Sequence, residues 1–265
     1  MRIMKKILFF IGFGFVLLSS NGCKDDPAPF PGTSINVWDT ISNFSGIVIP
    51  KTGSITIDLA HYFDGSALEF ASKFYVNAAG DTFSIKDLRY YFTNVTLTSP
   101  NGDKTNLRNY HLIDAKQAST KTFTLPNVPA GNYTGMTVLL GVDPERNHSG
   151  LQEGALDPSW SMFWTWSTGY IFYRINGNLI GGKTYSYDIG GDNNLPKVTL
   201  DFQSFKVKSA AAKIGIDMNI AEMFKKPTNF SFVTEGLDIH TDTDPAAKKI
   251  ATNMEDMLTI QSILP

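Results

Sequence analysis

Trp160, Trp164 and Trp166 place three of the chain's four tryptophans within seven residues, in a segment that runs GVDPERNHSG, LQEGALDPSW, SMFWTWSTGY from Gly141 to Tyr170. Indole is bulky and oxidisable, and His148, one of only four histidines, lies in the same segment. If Ser161 to Tyr170 forms a strand, Met162, Trp164 and Trp166 share one face while Phe163 and Thr165 share the other. Such a face either fills the core between two sheets, as a buried tryptophan does in immunoglobulin-like sandwiches, or offers a soft surface. Thioether and imidazole suit copper, Cu(I) in particular. Exposed indoles suit stacking on pyranose rings.

The histidines are His61, His111, His148 and His240, with no HxH or HxxxH spacing, so a metal would need ligands from separated loops. His148 leads, because it sits in a loop bearing Pro, Asn and Gly after an apolar strand, where loops carry function. His61 and His111 each follow an apolar strand segment and fit the same end of a sandwich. His240, in the acidic stretch from Leu237 to Asp244, reads as a surface residue. Asp143, Glu145, Glu153 and Asp157 lack the DxDxDG spacing of a calcium loop and read as a solvated loop. Ser149 beside His148 has no identifiable orienting carboxylate, which argues against a hydrolase. There is no phosphate loop, nucleophile elbow, CxxC pair or HExxH.

The elements that must position these residues read as strands. Period-2 alternation recurs at Ile55, Ile57 and Leu59, and at Leu88, Tyr90 and Phe92, followed after a phase shift by Val95 and Leu97. It returns from Met136 to Val142, at Val198, Leu200 and Phe202, and from Ile214 to Ile220. Turn signals separate them, among them Pro100-Asn101-Gly102-Asp103 and Gly190-Gly191-Asp192-Asn193. About nine short strands with hairpin spacing predict an all-β fold, an immunoglobulin-like antiparallel β-sandwich. One or two short helices are expected near the C-terminus: a turn from Ile220 to Lys225, and a helix with Asp244 as N-cap and Pro245 at its first position.

The first 22 residues read as a signal peptide, with Arg2, Lys5 and Lys6 ahead of the apolar run Ile7 to Leu18. Ser20 and Gly22 before Cys23, the only cysteine, resemble a bacterial lipobox with Cys23 as the lipidated residue of the mature chain. Lys24, Asp25 and Asp26 resemble a signal for the outer face of the outer membrane, against a plain solvated leader. Residues 23–53 read as anchor and proline-bearing tether, and 54–265 as one domain. Subtracting the three leader cations from 23 basic residues leaves 20 against 25 acidic ones, about −5 in the mature chain. Nothing in that balance suits phosphate backbones, so no nucleic-acid partner is expected.

Ile85 to Leu97 (IKDLRYYFTNVTL), Tyr110 to Asp114 (YHLID), Phe123 to Tyr133 (FTLPNVPAGNY), Leu140 to His148 (LGVDPERNH) and Met162 to Tyr170 (MFWTWSTGY) together resemble the MbnP-like family. These are periplasmic or lipid-anchored β-sandwich proteins related to the methanobactin-associated copper-binding protein. The resemblance implies a non-enzymatic copper-binding lipoprotein of the cell envelope, with histidine ligands. It also implies a tryptophan oxidised to kynurenine by a partner dihaem enzyme of the MauG type. Carried over by position, Asn147 and His148 match the NH element, and Trp164 and Trp166 match the WxW element, either being the modified residue. Met162 supports that site, with His111 and His61 as further ligands. Many relatives carry a histidine before an IGG-like turn where this chain has Asp188, a harder ligand that would weaken a Cu(I) site. The competing reading is a metal-free surface module that presents aromatic loops to a glycan or a protein partner.

Overall fold

The computed structural model describes residues 51–165, 168–208 and 211–264. Cys23, the leader and most of the tether lie outside them, as does Trp166.

Alternation translates directly into the first strand. β1 (Thr52–Phe63) buries Ile55, Ile57, Leu59, His61 and Phe63 on one face. Fifteen strands occur among the described residues, more than the alternation alone suggests. The others are β2 (Ser66–Ala67), β3 (Phe74–Val76), β4 (Thr82–Thr98), β5 (Lys104–Asn106), β6 (Tyr110–Asp114), β7 (Thr122–Pro129) and β8 (Gly131–Leu139). They continue with β9 (Phe163–Thr165), β10 (Gly169–Leu179), β11 (Thr184–Gly190), β12 (Lys197–Val207), β13 (Ala211–Asn219), β14 (Asp238–Ile239) and β15 (Leu258–Leu264). Five of these span only two or three residues, too short to show a period. β10 and β11 bury nearly every residue in their central stretches, so their composition shows no alternation.

The strands form two sheets. The smaller runs β15-β13-β1-β2 with β7 also on β1, and the larger runs β12-β8-β4-β10-β11-β14, with β3, β5 and β6 paired to β4 and β9 to β10. Most pairs are antiparallel as expected, but β1 pairs with β13 in parallel and β11 with β14 in parallel. The parallel β1–β13 pair is possible because almost the whole domain forms the crossover between them. The phase shift read in β4 is a β-bulge: the β4–β8 register slips between Thr93 and Thr96, and Asn94 adopts a positive φ of 51°.

Among the described residues there are four short α-helices: α1 (Ala118–Lys121), α2 (Pro144–Asn147), α3 (Phe232–Glu235) and α4 (Pro245–Asn253). Asp244 caps α4 by accepting a hydrogen bond from the Ala246 amide at 2.8 Å, and Ile220–Phe224 forms the expected single turn as a 3-10 helix.

The main core lies between the sheets. A second apolar cluster lies on the outer face of the larger sheet, where Tyr91, Ile171 and Phe172 meet Val142, Leu156, Met162 and Tyr170. That cluster seats the segment from Gly141 to Tyr170. Met162 and Trp164 therefore pack outside the sandwich rather than between its sheets. The expected single strand from Ser161 to Tyr170 is instead a hairpin, in which Thr165 pairs with Gly169 and Phe163 with Tyr170.

Candidate functional site

The hairpin, the NH element and the Gly-Gly turn after β11 are tied to one another. Asn147 is buried and uses both ends of its amide: Oδ1 accepts from the Tyr170 amide at 2.8 Å, and Nδ2 donates to Asp192 Oδ1 at 2.9 Å. His148 Nε2 meets the other oxygen of Asp192 at 2.9 Å. The half-buried Trp164 lies over Gly190, where a Cβ would come within 2.8 Å of its ring. The Asn147 amide thus joins the NH element to the WxWxxGY element, and the Asp192 carboxylate joins the NH element to the Gly-Gly turn.

A polar row crosses the outer face beneath this loop. Across the strands, Arg89 is opposite Asp114, Arg174 is opposite Arg89, and Asp188 is opposite Arg174. Arg174 grips Asp188 with two bonds of 2.6 Å, and the carboxylate is nearly buried. Both arginines also reach up to the tryptophan loop: Arg89 Nη1 donates to the Trp160 carbonyl at 3.1 Å and Arg174 Nη1 to the Ser161 carbonyl at 2.8 Å. His240, read from sequence as a surface residue, joins this row, with Nδ1 at 3.4 Å from Asp188 and Nε2 at 2.9 Å from Asp238.

The expected ligand histidines fall in different surroundings. His148 is exposed and engaged with Asp192, so it does not lead a shared set with the other two. His61 and His111 both face the space between the sheets, from opposite sides. His61 belongs to the core face of β1, and His111 stands opposite Phe92, a core residue of β4. His61 Nε2 bonds Tyr90 Oη at 2.9 Å, whereas His111 stacks on Phe123 at 3.9 Å between centroids. Tyr90 and Phe92 are two residues apart on one strand, roughly 7 Å, so the anchors of the two imidazoles are neighbours.

Burial pushes both imidazoles down to about 4, with Lys121 adding to the shift at His61. Both are neutral near pH 7, the form that ligates metal. His61 Nδ1 is buried without a hydrogen-bond partner. If Nε2–H donates to Tyr90, the unpartnered Nδ1 carries a free lone pair. Among the described residues, no group of three or more His, Cys, Asp and Glu side chains is placed to hold a metal ion.

These depressed values set a pH dependence. The unfolded chain binds protons near pH 6.5 that the folded chain refuses until about 4, so stability is full above 6.5 and falls as pH drops through that window. His61 contributes about 3 kcal/mol of this at most, and the more exposed His111 less. In metal-free protein, the melting temperature is expected to fall from pH 6.5 to 5 more steeply in the wild type than in His61→Gln. Equal slopes would contradict the assignment.

Two other acidic residues of the loop, Asp143 and Asp157, serve the backbone. Asp143 caps α2, accepting from the Arg146 amide, and also takes Asn94 Nδ2 at 2.7 Å and the Tyr110 hydroxyl. Asp157 caps the next turn through the Ser159 amide at 2.8 Å. His148 does have a carboxylate partner in Asp192, which sequence did not identify, yet Ser149 Oγ donates to the Arg146 carbonyl at 3.2 Å, away from any triad. Asp188, before the Gly-Gly turn, is the salt-bridge partner of Arg174.

The fold and this loop define a two-sheet sandwich with a tryptophan hairpin clamped on its outer face. A family model described as MbnP matches residues 52–243, and the chain belongs to that family. Among solved structures it is similar to MbnP from Methylosinus trichosporium, at 16% identity and a TM-score of 0.47, covering 76% of this chain and 87% of that one. A search of curated proteins found no match.

Proposed function

We propose that this chain is a non-enzymatic copper-handling protein of the bacterial cell envelope, anchored through lipid on Cys23. Membership of the MbnP family is the observation that carries this reading. The pair His61 and His111 supports it physically: both imidazoles are neutral, both face the inter-sheet space, and one holds an unpartnered nitrogen. Bound there, copper would gain two nitrogen donors suited to Cu(I). His148, Trp164 and Met162 belong to the clamped loop on the outer face, so His148 is not assigned as a ligand. Trp164 remains a candidate for oxidation to kynurenine by a dihaem partner, as does Trp166.

Anaerobic titration of metal-free mature protein with Cu(I) against a chromophoric chelator tests the assignment. His61→Ala and His111→Ala are each expected to weaken binding on the order of tenfold or more, and His148→Ala to leave it unchanged. Binding that is absent, or indifferent to both substitutions, removes the copper reading. Intact mass of protein from its native host tests the modification, expected as a gain of about 4 Da on a peptide containing Trp164 and Trp166.

The metal-free reading, an aromatic surface for a glycan, is favoured by one specific observation, the exposure of Trp160.

A further inference from the structure

Trp160 is 52% exposed, yet its position is tightly held. Its indole Nε1 donates to the Gly154 carbonyl at 2.8 Å, its own carbonyl accepts from Arg89, and the next residue, Ser161, is held by Arg174 in a left-handed conformation with φ of 59°. Two arginines from the sheet and a backbone carbonyl thus keep a large apolar ring from collapsing onto the surface. An exposed indole with this many restraints is a presented group rather than a loose one.

The ring borders a cavity of about 440 Å³ between the loop and α1. That volume lies in the range of roughly 300–1,000 Å³ typical of small-molecule sites. The lining also includes His111, stacked on Phe123, and at α1 Gln117 and Ser119. The two charged residues of the lining, Arg89 and Asp114, are of opposite sign and stand opposite each other across β4 and β6, and Arg89 also pairs with Asp87 at 3.2 Å. His111 is neutral. With one positive and one negative residue the lining carries no net charge to attract an ion, and a purely apolar ligand would cover the Gln117 amide and Ser119 hydroxyl, which have no side-chain hydrogen bond among the described residues. The complementary ligand is neutral, has an apolar ring face and carries hydroxyl groups.

We infer that this cavity is a saccharide subsite, in which a hexopyranose ring of a neutral oligosaccharide lays its C–H face on Trp160 and turns its hydroxyls toward Gln117 and Ser119. The inference does not depend on copper, since the sugar contacts it names are Trp160, Gln117 and Ser119.

The test is titration of the mature protein, kept metal-free with chelator, with maltohexaose, cellohexaose and a chitin hexamer. Binding is followed by tryptophan fluorescence and by saturation transfer to the sugar protons. At least one of these sugars is expected to bind saturably. Trp160→Ala should weaken that binding about tenfold, the loss of roughly one aromatic stacking contact, with Trp160→Phe retaining part of it. Ser119→Ala and Gln117→Ala should each weaken it severalfold. The melting temperature of each variant reports whether it has folded. No saturable binding by any of the three sugars, or binding that survives Trp160→Ala in folded protein, overturns the proposal. So does a cavity that takes indole-3-propionate at Trp160 while refusing every sugar, since the ligand would then be aromatic. Loss of Cu(I) binding in His61→Ala with sugar binding intact would separate this site from the metal reading.

Discussion

Replacing Arg174 by Ala is expected to destabilise the protein by about 3–5 kcal/mol, the usual result of stranding one member of a buried ion pair. Asp188 has 6% of its side chain exposed, and its two oxygens are held by Nε and Nη2 of Arg174 at 2.6 Å each. With the guanidinium gone, the remaining ion-pair partner of Asp188 among the described residues is His240 at 3.4 Å, charged only when protonated. For a domain of this size the loss corresponds to a melting temperature roughly 10 °C lower. The double substitution Arg174→Met with Asp188→Leu removes both charges and should recover most of that stability, because a buried pair is worth little against apolar side chains. It should not restore the tryptophan loop, because the Ser161 carbonyl loses its donor in either variant. Thermal melts together with quenching of Trp160 fluorescence distinguish the two effects. A single variant within about 1 kcal/mol of wild type would show that the pair is solvated in solution.

Gly169→Ala is expected to cost about 2–5 kcal/mol, combining a left-handed backbone with overpacking. Gly169 has φ of 75°, and a Cβ there would lie 2.1 Å from Asn147 Oδ1 and 2.8 Å from the Asn147 carbonyl. The amide cannot swing aside freely, since it holds the Tyr170 amide and Asp192. Displacing it breaks the link among the NH element, the hairpin and the Gly-Gly turn. Gly154→Ala is the control: its φ is 66°, but nothing lies within 4 Å of the added carbon. It should lose only the conformational part, about 1–2 kcal/mol. Equal losses in the two melts would mean that Asn147 yields and that the clamp carries no stability.

Much of the scaffold was legible before the structure. The alternation of β1, the phase shift in β4 and the Asp244-Pro245 helix start are properties of neighbouring residues, and each appears where the residues place it. The family motifs were legible too, but their roles were not. Asn147 and Gly169 read as parts of short motifs; one turns out to be a hydrogen-bonded bridge and the other the space that bridge occupies. His148 and Trp164 share the clamped loop, whereas His61 and His111, 50 residues apart in sequence, both meet β4, His111 by the β4–β6 register opposite Phe92 and His61 by its bond to Tyr90.

The sequence by itself determined that this chain makes a β-sandwich with a tryptophan-rich segment, because strand period and turn chemistry act over a few residues. Only the tertiary structure decided which face that segment covers, that Asp188 answers Arg174, and that Trp160 stands exposed beside a cavity. Those outcomes depend on strand register and on partners dozens of residues away, and no local pattern encodes which carboxylate or carbonyl a given side chain will meet.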